Sequence, residues 1–80
     1  MWTVYVLVSR KNNWLYIGLT NCLDRRIAEH NNGYNKSTKG KGPFILLHQE
    51  AFPTRREARQ REKHLKSGGG REWLRSTFRN

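Results

Sequence analysis

Two segments with the pattern of β-strands come in close succession near the start of this chain, and a helical segment follows them directly. Residues 2–9 alternate and are rich in Val and Tyr, and residues 14–19 repeat that character, which is typical of strands. Residues 11–13 read Lys-Asn-Asn and can turn, because Asn tolerates a positive φ. The pattern predicts an antiparallel hairpin, and the rest of the fold has to be built around it.

Helices and one further strand follow the hairpin. The predicted elements are a helix over 22–31 capped by Asn21, a strand over 44–51, a helix that begins at the capping box Thr54-Arg55-Arg56-Glu57 and ends near residue 67, and a short helix over 71–78. The glycines at 68–70 predict a break between the last two helices. The order is ββαβαα. Since helices must cover a three-stranded antiparallel sheet, the predicted fold class is α+β.

The chain is short and strongly basic. Its 80 residues predict one domain over residues 1–80. Sixteen Lys and Arg residues against six Asp and Glu give a formal charge of +10, which favours a polyanionic partner. Nucleic acid is the first candidate, and an anionic membrane surface is weaker because the sequence has no long apolar run or signal peptide. A basic surface that serves only solubility is the alternative.

Cys22 is the only cysteine. A lone cysteine forms no internal disulfide, and without partners at metal-site spacing it makes no zinc site. A reducing, cytoplasmic location fits this usage. We expect Cys22 to be a small buried or half-buried residue, as free cysteines usually are.

The first helix has a polar residue beside its apolar face. Leu23, Ile27 and His30 share one stripe by their spacing of three and four residues. Arg26 borders that stripe, whereas Arg25 points elsewhere. An arginine and a histidine are thereby predicted to lie close to the sheet.

The second helix carries a carboxylate near its inner face. Ala58 and Leu65 mark that face, and Glu62 lies between them in the helical repeat. A carboxylate so placed costs free energy unless it has a partner or a metal. Two interpretations stay open: an ion pair with Arg59 or Lys66 of the same helix, or a functional metal ligand.

Several of these segments together resemble the GIY-YIG nuclease superfamily. The resemblance is to its small stand-alone single-domain bacterial members, which are related to the N-terminal nuclease domain of the bacterial excinuclease. The segments that carry it are Thr3-Val4-Tyr5, Tyr16-Ile17-Gly18, Leu23-Asp24-Arg25-Arg26-Ile27-Ala28-Glu29-His30, Ser37-Thr38-Lys39-Gly40, Arg61-Glu62-Lys63-His64-Leu65-Lys66-Ser67 and Arg71-Glu72-Trp73-Leu74. The first motif has Thr3 where the family has glycine, and the late asparagine of many members has no match.

The resemblance implies a metal-dependent endonuclease that hydrolyses DNA phosphodiester bonds by in-line attack of water. The expected products carry a 3′-hydroxyl and a 5′-phosphate, and the expected ion is Mg²⁺, with Mn²⁺ as the alternative. By position in the motifs, Tyr5 and Tyr16 match the two family tyrosines, Arg26 the arginine, His30 the histidine and Glu62 the metal-binding glutamate.

These residue types suit that chemistry. Arg26 can hold the scissile phosphate in a fork and stabilise transition-state charge. We expect Tyr5 to be the general base, with its pKa lowered by the nearby guanidinium and metal, and Tyr16 to position the water or the phosphate. His30 then relays the proton or holds Tyr5 by a hydrogen bond.

The basic residues predict where DNA binds. Residues 54–80 hold nine Lys or Arg and three acidic residues, and residues 36–42 form a predicted flexible cationic loop. The predicted nucleic-acid-binding residues are Lys36, Lys39, Lys41, Arg55, Arg56, Arg59, Lys63, Lys66 and Arg71. No base-reading motif is evident, so binding should be mainly electrostatic and weakly sequence-specific. Trp14, Trp73 and Phe78 are candidates for stacking on unpaired bases.

Three functional hypotheses follow. The first is an endonuclease that acts on structured or damaged DNA, which is consistent with DNA repair. The second is a non-catalytic, basic nucleic-acid-binding module of the same fold. The third is a subunit that relies on a protein partner to choose its substrate. A monomer is the expected oligomeric state.

Overall fold

The computed structural model describes residues 1–34 and 38–78 and has the predicted order ββαβαα. Its elements are β1 (Trp2–Ser9), β2 (Leu15–Thr20), α1 (Leu23–Asn31), β3 (Phe44–Phe52), α2 (Arg55–Lys66) and α3 (Gly68–Thr77). These bounds lie within about one residue of the predicted ones, except that α3 begins three residues early. No helix in the described ranges is long and apolar enough to cross a bilayer.

The sheet is antiparallel and has the order β2-β1-β3, which confirms the α+β class. The hairpin turns through Asn13, whose φ of 61° is the positive value that the turn prediction requires. The central strand β1 pairs Tyr5 with Gly18 on one side and with Gln49 on the other. Tyr5 therefore lies in the middle of the sheet.

The alternation of side chains along β1 gives the sheet two buried faces. Val4 and Val6 lie in the larger core, where Ala58 and Leu65 of α2 and Leu74 of α3 pack. The opposite face holds a second, smaller core. Its buried residues are Tyr5, Leu7 and Phe44, with Leu23 and Ile27 of α1 packed against them. The sheet is thus a layer between α1 on one side and α2 with α3 on the other.

Two predictions at the start of α1 are wrong. Cys22 rather than Asn21 precedes the helix, and it makes no side-chain capping bond. The Thr20 hydroxyl instead accepts a hydrogen bond from the Cys22 amide at 3.0 Å, which turns the chain into the helix. Cys22 is exposed, not buried, because it lies in this turn outside both cores.

The glycine triplet begins a helix and does not separate two helices. The break lies at Ser67, whose hydroxyl accepts a hydrogen bond from the Gly70 amide at 3.2 Å and caps α3. Gly70 is buried, and a Cβ there would overlap the His64 carbonyl oxygen and the Leu65 backbone. The absence of a side chain at Gly70 lets α3 start in direct contact with the end of α2.

Candidate active site

Tyr5 and Gly18 face each other across β1 and β2. Tyr5 is 1% exposed, and its hydroxyl lies where a side chain at position 18 would be, because a Cβ on Gly18 would overlap that oxygen. Their pairing in the hairpin explains why the Tyr-Ile-Gly segment ends in glycine. The hairpin therefore fixes the position of the Tyr5 phenol.

A chain of hydrogen bonds runs from this phenol through α1. The Arg26 Nε donates to the Tyr5 hydroxyl at 3.4 Å. That hydroxyl lies 3.0 Å from His30 Nε2, and His30 Nδ1 lies 2.8 Å from the Thr38 Oγ1. We assign the proton of neutral His30 to Nδ1, so that Tyr5 donates to Nε2 and Thr38 accepts from Nδ1.

Thr38 was missed as a functional candidate. It lies in the predicted flexible loop, yet it is fully buried against His30. The sequence held one indication of its role. Thr38 is the threonine of a segment otherwise made of Gly, Lys and Ser, and that segment is one of those that resemble the family. The prediction of a flexible loop is therefore wrong at position 38, because a side chain of α1 anchors the chain there.

Tyr16 completes the cluster. Its ring centroid lies 4.6 Å from that of His30 and 6.3 Å from that of Tyr5. Tyr16 is partly exposed, whereas Tyr5 is buried. The structure thus brings the four residues predicted to be catalytic, Tyr5, Tyr16, Arg26 and His30, together at the β1–β2 hairpin and the first helix.

The net pKa shift of Tyr5 is opposite to the predicted one. Burial raises the pKa of Tyr5 to about 12, and the hydrogen bond from Arg26 lowers it by less than burial raises it. Burial and the Arg26 charge lower the pKa of His30, so the imidazole is neutral at pH 7. The hydrogen bond to Tyr5 raises the pKa of Arg26, which stays charged. The cluster therefore pairs a protonated phenol with a neutral imidazole and a fixed cation.

Glu62 lies on α2 and is 6% exposed, as its helical spacing predicts. Its Oε1 accepts from Arg59 Nη1 at 2.6 Å, and its Oε2 is 3.2 Å from Lys66 Nζ. Both ion pairs that the sequence left open are therefore formed. The Glu62 charge also contributes to the raised pKa of Tyr5, so the carboxylate is within electrostatic range of the cluster.

Glu62 is the carboxylate that the family resemblance assigns to a metal ion. Within residues 1–34 and 38–78, no group of three His, Cys, Asp or Glu side chains is arranged to hold a metal. Mg²⁺ commonly keeps several waters and takes one or two carboxylates together with substrate phosphate. Glu62 can supply one such carboxylate oxygen, provided that its ion pair with Arg59 or with Lys66 breaks.

Most of the predicted DNA-binding side chains lie on the surface. Those exposed are Lys39, Lys41, Arg55, Arg56, Arg59, Lys63 and Lys66. Arg71 is partly buried, and its Nε donates to the Lys66 carbonyl oxygen at 3.3 Å. Lys36 lies outside the described residues. Arg59 and Lys66 flank Glu62, so positive charge surrounds the carboxylate.

The comparison with known families agrees with this arrangement. The model of the GIY-YIG catalytic domain matches residues 1–74. The chain belongs to the GIY-YIG family. The resemblance inferred from the motifs is thereby confirmed, and the GIY-YIG family is a superfamily of nucleases.

Several relatives of this GIY-YIG domain are small proteins. A UPF0213 protein of Clostridium perfringens is 47% identical over 64 residues, which cover 79% of this chain and 68% of that protein. A UPF0213 protein of Nitratidesulfovibrio vulgaris is 40% identical over 67 residues, which cover 82% of this chain and 60% of that protein. The solution NMR structure of a UPF0213 protein from Bacillus halodurans matches 96% of this chain and 85% of its own, with a TM-score of 0.58 and 38% identity.

Proposed function

We propose that this GIY-YIG domain is a metal-dependent endonuclease that hydrolyses DNA phosphodiester bonds with weak sequence specificity. The hydrogen-bonded chain from Arg26 through Tyr5 to His30 is the observation that carries the proposal. It joins a cation for the phosphate to a route for a proton, and hydrolysis needs both.

Arg26 binds the scissile phosphate. Its Nε and Nη1 are used by Tyr5 and Glu29, at 3.4 and 3.1 Å. Nη2 makes no hydrogen bond to the described residues, and 36% of the side chain is exposed. A guanidinium held on two sides, with a further donor for the substrate, stabilises charge on a non-bridging oxygen with little reorganisation.

Tyr5 and His30 move the proton of the attacking water. Because its pKa is about 12, Tyr5 is not a free phenolate at neutral pH. As the phenol oxygen takes a proton from water, its own proton passes to His30 Nε2, 3.0 Å away. Arg26 stabilises the negative charge that develops on the phenol oxygen. Tyr16, which is partly exposed beside His30, positions the water or the phosphate.

Glu62 is the residue that would hold the metal ion. A divalent ion bound there supplies charge neutralisation at the phosphate. Without a metal ion, the positive charges of Arg59 and Lys66 balance the negative charge of the Glu62 carboxylate. These ion pairs explain how a buried acid is tolerated on a basic helix.

The decisive experiment is a cleavage assay on labelled duplex, single-stranded, branched and nicked DNA with Mg²⁺, Mn²⁺ or EDTA. We expect metal-dependent cleavage that Glu62→Gln abolishes, while Glu72→Gln, which changes an exposed acid on α3, leaves it intact. Arg26→Ala should lower the rate by about 10²- to 10³-fold, as loss of a transition-state donor does. The neighbouring exposed residue gives the matched control Arg25→Ala. Equal cleavage by wild type and Glu62→Gln would contradict the proposal.

The second candidate is a non-catalytic DNA-binding module, and the two ion pairs of Glu62 favour it because they occupy both carboxylate oxygens. DNA binding without cleavage on every substrate would support that module, or a subunit that needs a protein partner. In either case contact with six phosphates of duplex DNA would give a log–log salt slope of about −5.

A further inference from the structure

A groove begins at the candidate active site and runs along the open edge of β2. It has a volume of about 330 Å³ and is lined by Trp14, Leu15, Tyr16, Ile17, Lys66 and Arg71. Tyr16 belongs both to this groove and to the ring cluster with His30. Whatever occupies the groove therefore lies next to the proposed site of hydrolysis.

Trp14 offers an aromatic surface that the cores do not use. It is 37% exposed and belongs to neither hydrophobic core. The turn fixes its backbone, because the Trp14 amide donates to the Asn12 Oδ1 at 3.0 Å. Its ring centroid lies 6.0 Å from that of Tyr16. The indole is thus both positioned and accessible.

The charges around the indole are positive. Lys66 and Arg71 line the groove, and the Lys41 Nζ lies 4.7 Å from the centroid of the Trp14 ring. Lys66 also pairs with Glu62 at 3.2 Å, so a phosphate bound by Lys66 shares this cation with the carboxylate. None of the described residues that line the groove is acidic. Lys41 is exposed on a flexible stem, so its ammonium can leave the ring and follow a phosphate.

An aromatic ring among cations matches one class of ligand best. Unpaired nucleotides stack their bases on aromatic side chains while Lys and Arg contact the backbone. A continuous duplex presents no free base face, and an acidic peptide would use the cations but leave the ring without a partner. The groove thus has one group for each part of an unpaired nucleotide.

We propose that this groove binds one unpaired nucleotide, with its base on Trp14 and its phosphate on Lys66 and Arg71. Binding of this nucleotide is independent of catalysis, but its place beside the scissile phosphate rests on the proposed nuclease function. The substrate of that nuclease is then DNA with an unpaired strand at the cleavage point, such as a flap, a loop or a gap.

Fluorescence anisotropy in EDTA tests the binding site without any cleavage. The probes are labelled dT12 and a blunt 12-base-pair duplex made of two strands, which has no unpaired nucleotide. Loss of one stacking partner costs about 1–3 kcal/mol, so Trp14→Ala should weaken dT12 binding by roughly 5- to 150-fold. Binding of the blunt duplex should change by less than about twofold. Trp14→Phe should retain most of the affinity for dT12.

Tyr34→Ala is the control, since Tyr34 is an aromatic residue that is 79% exposed and does not line the groove. It should bind dT12 as the wild type does, and thermal melts establish that each variant is folded. The proposal is overturned if Trp14→Ala binds dT12 like the wild type, or if it loses affinity equally for duplex. A quenched Trp14 signal in a Trp2→Phe, Trp73→Phe protein on addition of dT12 would support direct stacking, and an unchanged signal would contradict it.

A cleavage assay then separates the two proposals. If the nuclease function holds, wild type should cut a flap faster than a continuous duplex, and Trp14→Ala should lose that preference. If no cleavage occurs but the dT12 result stands, the nuclease proposal fails and the nucleotide site remains. If wild type and Trp14→Ala cut the flap and the continuous duplex at equal rates, the nuclease function is supported. The placement of the groove beside the scissile bond is then wrong.

Discussion

The Nδ1 nitrogen of His30 lies 2.8 Å from the hydroxyl of Thr38, and both side chains are buried. A histidine that hydrogen-bonds through one ring nitrogen has its tautomer and its ring orientation fixed. With the proton on Nδ1, the other nitrogen is free to accept from Tyr5 at 3.0 Å. Thr38 therefore influences the Tyr5 hydroxyl indirectly, by fixing the tautomer and the orientation of the His30 ring that accepts from it.

Thr38→Val tests that role, because valine keeps the shape of threonine and removes the hydroxyl. We expect the kcat for DNA cleavage to fall about 10- to 100-fold, a part of what general acid–base catalysis contributes. KM should stay within about threefold, since Thr38 is buried and does not reach the substrate. The buried ring nitrogen loses its partner, which should also lower the free energy of unfolding by about 1–3 kcal/mol.

Thr38→Ser provides the matched control, because it restores the hydroxyl and should restore most of kcat. The ¹⁵N chemical shifts of His30 give a readout that a merely structural role would not change. We expect one dominant tautomer in the wild type and in Thr38→Ser, and a mixture in Thr38→Val. A single unchanged tautomer in Thr38→Val, together with full kcat, would contradict the positioning role.

The lowered pKa of His30 predicts how stability depends on pH. Burial and the charge of Arg26 disfavour the imidazolium in the folded protein. Below about pH 6.5 the unfolded chain therefore binds a proton that the folded chain does not. Because the unfolded state then holds more protons, the free energy of unfolding falls as the pH drops from 6.5 toward the lower folded pKa.

Urea unfolding at several pH values between 5 and 8 measures this effect. His30→Gln should show a weaker pH dependence than the wild type below about pH 6.5, whereas His64→Gln, at an exposed position on α2, should keep the wild-type dependence. Identical slopes in wild type and His30→Gln would show that His30 is not the group responsible.

Local patterns were sufficient to predict most of the fold. The alternation in β1 and the capping box at Thr54 involve residues close in sequence, so the elements and their order followed from the chain alone. Helical spacing likewise placed Glu62 on the buried side of α2. What could not be predicted depends on contacts between distant segments.

The pKa of Tyr5 and the role of Thr38 are such cases. A guanidinium near a phenol predicts a lowered pKa, but the depth of burial decides the net direction, and burial depends on the packing of α1 on the sheet. The bond between Thr38 and His30 depends on the path of the chain from α1 to β3. The start of α3 depends on the contact of Gly70 with α2, which outweighs the low helix propensity of glycine.

Gly70→Ala and Gly69→Ala should have opposite effects on stability. A Cβ at Gly70 meets the His64 carbonyl oxygen and the Leu65 backbone, so α3 must move away from α2. We expect a loss of about 1–3 kcal/mol in the free energy of unfolding. At Gly69 no atom of the described residues outside the glycine's own turn of helix lies within 4 Å of the added methyl, so alanine should stabilise the helix by about 0.4–1 kcal/mol. Urea unfolding of the two variants measures both, and a stabilised Gly70→Ala would show that the helices are not in contact there.

Gly18→Ala should disturb the candidate site directly, because the new methyl takes the space of the Tyr5 hydroxyl. The Tyr5 ring is rigid and buried, so it must shift, which breaks its bonds to His30 and Arg26. We expect the free energy of unfolding to fall by about 1–3 kcal/mol and DNA cleavage to fall about as far as in Tyr5→Phe, which keeps the ring but removes the hydroxyl. Gly69→Ala controls for a methyl added elsewhere. A Gly18→Ala protein that is folded and cleaves DNA at the wild-type rate would show that the position of the Tyr5 hydroxyl is not required for catalysis.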